Sequence, residues 1–442
     1  MREGTLMVRR LGDISGDDLR RRLSRSASAI FNDEMRAYAR GVLDDVARRG
    51  DAAVAEYTAR WDGVGLAPGE FGVPHEDIRA AADRLDGELL RALAAAIART
   101  RRYNEWLRPQ PVVLTELEPG LTVGVRYTPC RSAGIYVPSG KGRFPSTLIT
   151  LATPAVVAGV DEVVVVVPPR PDGTVDSAVL AAADLLGITR IFRCNGAAGV
   201  AALAVGTATI PRTDVITGPG NPVIAAVQQA AAAYGARPLA VLGPSESIVL
   251  ADEGADAAYL AVDLLNEAEH GADSVAIALI TDTGLAERVM ELLPGYLARL
   301  PEPRRSYATR AITDLGGVFI ARDLDEAVAW IDRFAPEHLQ LAVRDPLAVA
   351  ARIHHAGEIL LGQATPFAAA NYAIGVPAAL PTGGAAASSA GITLFSFLKA
   401  ISMAGLTPEG LRTVAPVAVH LGRYEGFPAH VQAITEREAG AR

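Results

Sequence analysis

Cysteine is nearly missing: Cys130 and Cys194 are the only two in 442 residues. Two thiols cannot form a disulfide framework or a four-thiolate zinc site, and they fit a reducing cytoplasm as buried structural groups. Lysine is equally scarce, confined to Lys141 and Lys399, so nearly all positive charge is arginine. The formal net charge of −8 and a pI near 5.5 argue against the basic footprint of a nucleic-acid binder or a membrane-surface protein. No apolar run reaches the ~18 residues of a membrane span. Arg9-Arg10 is followed by charged Arg20, Arg21 and Arg22 rather than a continuous apolar stretch, which argues against export. A cytoplasmic protein with neither nucleic acid nor membrane as partner is the expectation.

What is present is apolar: half of the residues are hydrophobic, and the length exceeds what one core usually supports, so two large domains are expected. Residues 1–110 read as helical, with apolar positions three and four apart at 19–23, 35–47, 52–57 and 80–107. From residue 122 short β-rich runs at 134–137, 162–167, 190–193 and 214–216 alternate with helical ones at 145–158, 176–186, 197–204 and 222–234. The run 163–167 has no polar alternation, as in a strand covered on both faces of a parallel sheet. A second series follows Pro244, with strands near 247–251, 274–281, 317–320 and 358–361. Two α/β units are therefore expected, one inserted in or following the other. The Gly383-Gly384 run reads as a loop, and 395–436 reads as a small helical tail.

Histidine is rare, seven in all, yet two lie beside acids in apolar surroundings. Glu267 and His270 stand three apart in a segment that reads as helix over 258–270, the spacing of metal ligands built on one helical face, and also of an ordinary surface pair. Glu337-His338 follows Pro336 and precedes a strand-like run. On an extended segment the two side chains point apart; from a loop both could reach a cleft as general base and water activator. Gly218-Pro-Gly-Asn221-Pro222 ends a strand and opens a helix, with Asn221 as N-cap and Pro222 in the first helical position, a weak anion signal without any dinucleotide or P-loop fingerprint. Tyr136-Val-Pro-Ser-Gly140 and Gly243-Pro-Ser245-Glu246 lie at strand-to-loop edges of the kind that bind ligands. Glu425 and His430 in the tail look like an exposed helix terminus.

In order along the chain, Gly134-Ile-Tyr-Val-Pro138, Leu151-Ala-Thr-Pro154, Gly218-Pro-Gly-Asn221, Gly243-Pro-Ser-Glu246, Ala268-Glu-His-Gly271, Pro336-Glu-His-Leu339, Leu380-Pro-Thr382 and the 425–430 stretch resemble the histidinol dehydrogenase family over nearly the whole sequence. The resemblance implies a zinc-associated, NAD-dependent oxidation of a primary alcohol through an aldehyde to a carboxylate. It assigns His338 as the base for the alcohol proton and Glu337 as the group that activates water. Tyr136 and Asn221 match NAD-contacting positions, Ser245 and Glu425 substrate-contacting ones. The expected fold is two Rossmann-like α/β domains with a helical N-terminal region and a small helical tail: an arm at 1–30, a first domain at 31–133 plus 245–382 carrying catalytic and metal positions, an inserted NAD-binding domain at 134–244, and a tail at 383–442. The resemblance further implies a homodimer in which the tail of one subunit completes the other's site.

Three departures stand against these matches. The family's zinc ligands are a Gln, a His, an Asp and a second His, and the corresponding residues here are Glu267, His270, Asn371 and His430. A carboxamide has become a carboxylate and a carboxylate a carboxamide, so the summed charge is unchanged and a cation could still be held. Where the family has an imidazole-recognising His, this chain has Ala378, which argues against histidinol as substrate. Ala198 replaces a glutamine on the cofactor side. The resemblance thus implies an enzyme redirected to another primary alcohol, with true histidinol oxidation and a non-catalytic ligand-binding role as the alternatives.

Overall fold

The computed structural model describes residues 8–14, 32–139, 142–239 and 243–440. The helical reading at 19–23 and the residues Arg20, Arg21, Arg22, Gly140 and Lys141 lie outside them. In chain order the strands are β1 (Val8–Arg10), β2 (Val112–Glu118), β3 (Leu121–Pro129), β4 (Ser132–Tyr136), β5 (Glu162–Val167), β6 (Arg190–Arg193), β7 (Val215–Thr217) and β8 (Arg237–Leu239). They continue with β9 (Glu246–Ala251), β10 (Val275–Ile280), β11 (Gly317–Ile320), β12 (His338–Ala342), β13 (Glu358–Leu361) and β14 (Leu398–Leu406). The chain divides into two units, Met1–Trp106 with Arg131–Phe397, and Leu107–Cys130 with Leu398–Arg442.

The first unit holds two parallel sheets. One runs β6-β5-β4-β7-β8, the other β1-β11-β10-β9-β12-β13. Leaving β1 aside, each sheet starts at its centre, adds two strands on one side and two on the other, the order of a dinucleotide-binding fold. Val164, Val165 and Val166 are wholly buried, as the uninterrupted apolar run required. The helices Asp33–Arg49 and Asp51–Asp62 share a core with the five-stranded sheet through Val42, Leu43, Val46, Ala53, Val54, Val164 and Phe192. On the six-stranded sheet alternate residues divide between two cores. Leu339 and Leu341 of β12 join Ile248, Leu250 and Trp330 on one face, while Ala342 joins Leu264 and Phe367 on the other.

Two local readings change, and one antiparallel pair is added. Val8–Arg10, within the stretch read as helical, is a strand paired in parallel with β11. Residues 112–129 form an antiparallel β2–β3 pair that is joined by β14. The tail therefore begins with a strand, Leu398–Leu406, before its two helices, Pro408–Tyr424 and Pro428–Gly440. The strand escaped notice because its residues are largely exposed, and a mixed, exposed sequence carries no period-2 burial signal. No described helix is long and apolar enough to cross a membrane.

Candidate active site

Glu246, His338 and Glu358 are the first residues of β9, β12 and β13, three adjacent strands. In register, His338 stands opposite Ser247 on one side and Glu358 on the other. The cluster thus sits at the amino-terminal edge of this sheet beside its topological switch point, whereas open α/β sheets usually bind ligands at the opposite edge. Glu337 reaches the same place from just outside β12. The helix Leu324–Phe334 ends on Ala335, whose φ of 50° turns the chain, and the backbone N–H groups of Gly357 and Glu358 then donate to the carbonyls of Pro336 and Glu337 at 2.9 and 3.0 Å. A side chain on Gly357 would stand 2.5 Å from the Glu337 carbonyl, so only glycine permits this approach.

Opposed orientations, the extended-segment expectation for Glu337 and His338, are not what is found. The strand begins at His338, one residue after Glu337, and Oε1 of Glu337 lies 3.7 Å from Nε2 of His338. Oε2 of Glu337 accepts from the backbone N–H of Glu246 at 3.0 Å. Nδ1 of His338 makes a short hydrogen bond with Oε1 of Glu358, and the ring meets that of Phe367 edge-on at 5.7 Å. Glu246 in turn accepts from the backbone N–H of Gly383 at 3.0 Å. His338 is 3% exposed, Glu337 7% and Glu246 1%.

Glu267 completes the group from the helix Ala257–Ala268, whose buried face carries Asp263 and Glu267 towards the sheet. That helix ends at Ala268, two residues before the expected end, and the N–H of His270 donates to the Glu267 carbonyl at 3.3 Å in a closing turn. The two side chains meet regardless, Nε2 of His270 lying 3.4 Å from Oε2 of Glu267. Nδ2 of Asn371 donates to Oε1 of Glu267 at 2.8 Å. Glu267, His270 and Asn371 are therefore brought together. Among the described residues no group of three or more His, Cys, Asp and Glu is arranged to hold a metal ion, and the third residue here is a carboxamide.

So much negative charge in one dry place cannot stay fully ionised. Burial pushes Glu337 well above the usual carboxyl range, with Glu267 and Glu246 pushing the same way and His338 opposing. Burial would lower His338, but Glu267, Glu337 and Glu358 outweigh it and raise the imidazole from 6.5 to about 10. Proton sharing between acid and imidazole is what such a group does chemically.

Asp263 is a separate case, raised by burial from 3.8 to about 6 against the effect of Gln340. Its ionised form is disfavoured in the fold, so stability is lost as pH rises from about 4 through about 6. Asp263→Asn is accordingly expected to stabilise the protein at pH 7 by about 1–3 kcal/mol, with the advantage gone at about pH 4; urea unfolding midpoints at the two pH values test this.

The other expected residues lie elsewhere. Tyr136 ends β4 and Asn221 follows β7, adjacent strands at the carboxyl edge and switch point of the five-stranded sheet. Tyr136 is buried, its ring lying where a side chain on Gly196 would have to go, and burial pushes its hydroxyl up. A Cβ on Gly218, at φ +148°, would lie 2.2 Å from the Tyr136 carbonyl, so the two strand ends close tightly. Oδ1 of Asn221 caps the helix Pro222–Ala230 by accepting from the N–H of Ile224 at 3.1 Å. Ala198 is buried in the first turn of the helix Gly196–Val205. Ser245 is half-buried beside Glu246, and Ala378 is half-buried. Glu425 and His430 belong to the second unit, both exposed, with His430 against the ring of Phe427 at 5.1 Å.

Sequence reasoning missed Glu358 as a site residue and gave no role to Glu246. A carboxylate opening an apolar run, Glu358-Ile-Leu-Leu361, was the available signal, but its place opposite His338 depends on strand pairing.

A family model described as histidinol dehydrogenase matches residues 25–438. A histidinol dehydrogenase of Synechocystis sp. is 40% identical over 406 residues, which cover 92% of this chain and 93% of that protein. A histidinol dehydrogenase homolog of Colwellia psychrerythraea is 35% identical over 429 residues, 97% and 96% of the two chains. The crystal structure of histidinol dehydrogenase from Elizabethkingia anophelis matches with a TM-score of 0.92 at 28% identity, covering 100% of this chain and 99% of that one.

Proposed function

This chain belongs to the histidinol dehydrogenase family, and on that footing we propose that it is an NAD-dependent dehydrogenase that oxidises a primary alcohol other than histidinol, through the aldehyde, to the carboxylate. One observation carries the reading: Glu337 and His338 are buried side by side, with Nε2 and Oε1 3.7 Å apart, at the edge of a parallel sheet. In the first oxidation Nε2 of His338, once the imidazole is neutral, would take the hydroxyl proton; NAD, held by Tyr136 and Asn221, would supply the hydride acceptor. Glu337 would take the proton of the water that adds to the aldehyde, and a second oxidised NAD would accept the hydride of the hydrate while its hydroxyl proton goes to His338 after release of the first.

Tyr136 and Asn221 stand at the switch point of a sheet with dinucleotide-binding strand order, which supports NAD there. Asn221→Ala is expected to raise the KM for NAD with kcat little changed. It should also cost about 1 kcal/mol of stability through the lost cap, measured by steady-state kinetics and urea unfolding.

A carboxylate 1% exposed and an imidazole meet in surroundings with surplus negative charge, which suits a cation; Asn371, whose Nδ2 now faces Glu267, would join them by turning its oxygen inward. Glu267, His270 and Asn371 would hold a zinc-class ion, with His430 supplied, like the substrate contact Glu425, by the tail of a second copy in a homodimer. Such an ion would orient the alcohol oxygen and offset the Glu267 charge that acts on His338.

Ala378, in place of an imidazole-recognising histidine, favours an altered substrate, with Ser245 as a contact on this chain. The relatives named histidinol dehydrogenase favour the second reading, oxidation of histidinol itself. NADH absorbance across primary alcohols that include histidinol, before and after chelation, separates the two. Turnover of another alcohol without histidinol supports the first reading, and useful histidinol turnover supports the second. No NADH from any alcohol rejects both.

A further inference from the structure

His338 has two ring nitrogens with different surroundings. Nε2 lies 3.7 Å from Glu337, too far for a hydrogen bond, while Nδ1 is held by Oε1 of Glu358. The contact is built into the fold: Glu358 is the cross-strand partner of His338, and its own N–H is tied to the Glu337 carbonyl at 3.0 Å. Both side chains are nearly inaccessible, 3% and 6% exposed. Oε2 of Glu358 is buried without a hydrogen-bond partner, an arrangement that packing alone would not favour, since an apolar residue at the head of an apolar strand avoids the desolvation of a carboxylate.

We propose that Glu358 is a positioning residue: its carboxylate keeps Nδ1 of His338 protonated and turned towards β13, leaving Nε2 as the proton acceptor. This rests on the reading of His338 as the base of an alcohol oxidation. When Nε2 of the neutral ring, the form present at alkaline pH, takes the hydroxyl proton, the Nδ1 proton stays in place and the new imidazolium charge faces Glu358. The hydride goes to NAD, so the step needs no further reactant. An outer carboxylate of this kind fixes the tautomer of an imidazole and supports its charged form.

The test uses the full chain labelled with 15N-histidine. A strongly downfield Nδ1 proton resonance is expected in the wild type, lost in His338→Asn, which assigns it, and moved upfield in Glu358→Gln. With a primary alcohol that the wild type oxidises, Glu358→Gln is expected to lower kcat by about 10–100-fold with KM within about twofold, a split that general loosening of the fold would not give. Absence of the downfield proton from the wild type overturns the proposal without recourse to any variant. So does a kcat for a folded Glu358→Gln within about twofold of the wild type. If the resonance behaves as expected and no alcohol is oxidised, the functional reading falls while the hold of Glu358 on His338 stands.

Discussion

With His338 as the proposed base, His338→Asn is expected to lower kcat by roughly 10²–10⁴-fold for a primary alcohol that the wild type oxidises, and to leave the KM for NAD almost unchanged. Asparagine has no nitrogen that can take up a proton, so the hydroxyl proton has nowhere to go even at the alkaline pH where His338, raised to about 10, is neutral and can act as a base. Glu337→Gln gives a different failure: the first hydride transfer persists, water is no longer activated, and NADH formed per alcohol falls from two to one as aldehyde accumulates. Absorbance at saturating NAD, with the aldehyde trapped by a hydrazine, reads both effects. Stability supplies a control free of substrate. The imidazole is raised from 6.5 to about 10 by the carboxylates that outweigh its burial, so its contribution is present below about 6.5 and is lost as pH rises towards about 10. The wild-type urea midpoint should fall across that window, and the fall should be missing from His338→Asn. Equal pH profiles would mean that His338 does not sit among ionised carboxylates in solution.

Much of the fold was legible because it is written locally. The runs 162–167, 190–193, 317–320 and 358–361 are strands at those limits, and Asn221 caps its helix ahead of Pro222 as its position foretold. What failed were features decided by partners. Val8–Arg10 is too short to show a period and is a strand only because β11 is beside it. β14 exposes most of its residues and owes its form to β3. The same division runs through the candidate site. Glu267, His270, Glu337 and His338 could be found from neighbours in sequence, whereas Glu358 acquires meaning only when β12 and β13 pair in parallel. Nor does sequence tell that the cluster lies at the amino edge of its sheet while Tyr136 and Asn221 lie at the carboxyl edge of the other, because edge depends on where strands begin in the fold.

Asn371→Asp should be among the most destabilising single changes in the site, by about 3 kcal/mol in urea unfolding at pH 8. At present Nδ2 of Asn371 donates to Oε1 of Glu267 at 2.8 Å, and Glu267 is 1% exposed. Aspartate turns that donor into an acceptor and sets two carboxylates face to face without water. The defect should shrink in acid, once one of the two facing carboxyls carries a proton and can donate again. Adding Glu267→Gln to Asn371→Asp should restore most of the loss at pH 8, because the amide then donates in the opposite direction and the pair regains one negative charge; a coupling of about 3 kcal/mol is expected from the double-mutant cycle. If the four midpoints simply add, the exchange of carboxamide and carboxylate is two unrelated substitutions. A cation gives a second handle on the same pair. Zinc should rescue Asn371→Asp more strongly than the wild type, since the charge it meets is larger and binding to the folded state alone raises stability. A wild-type midpoint that also drops on chelation would place a resident cation beside Glu267, and a flat response would leave the hydrogen bond as what couples Glu267 to Asn371.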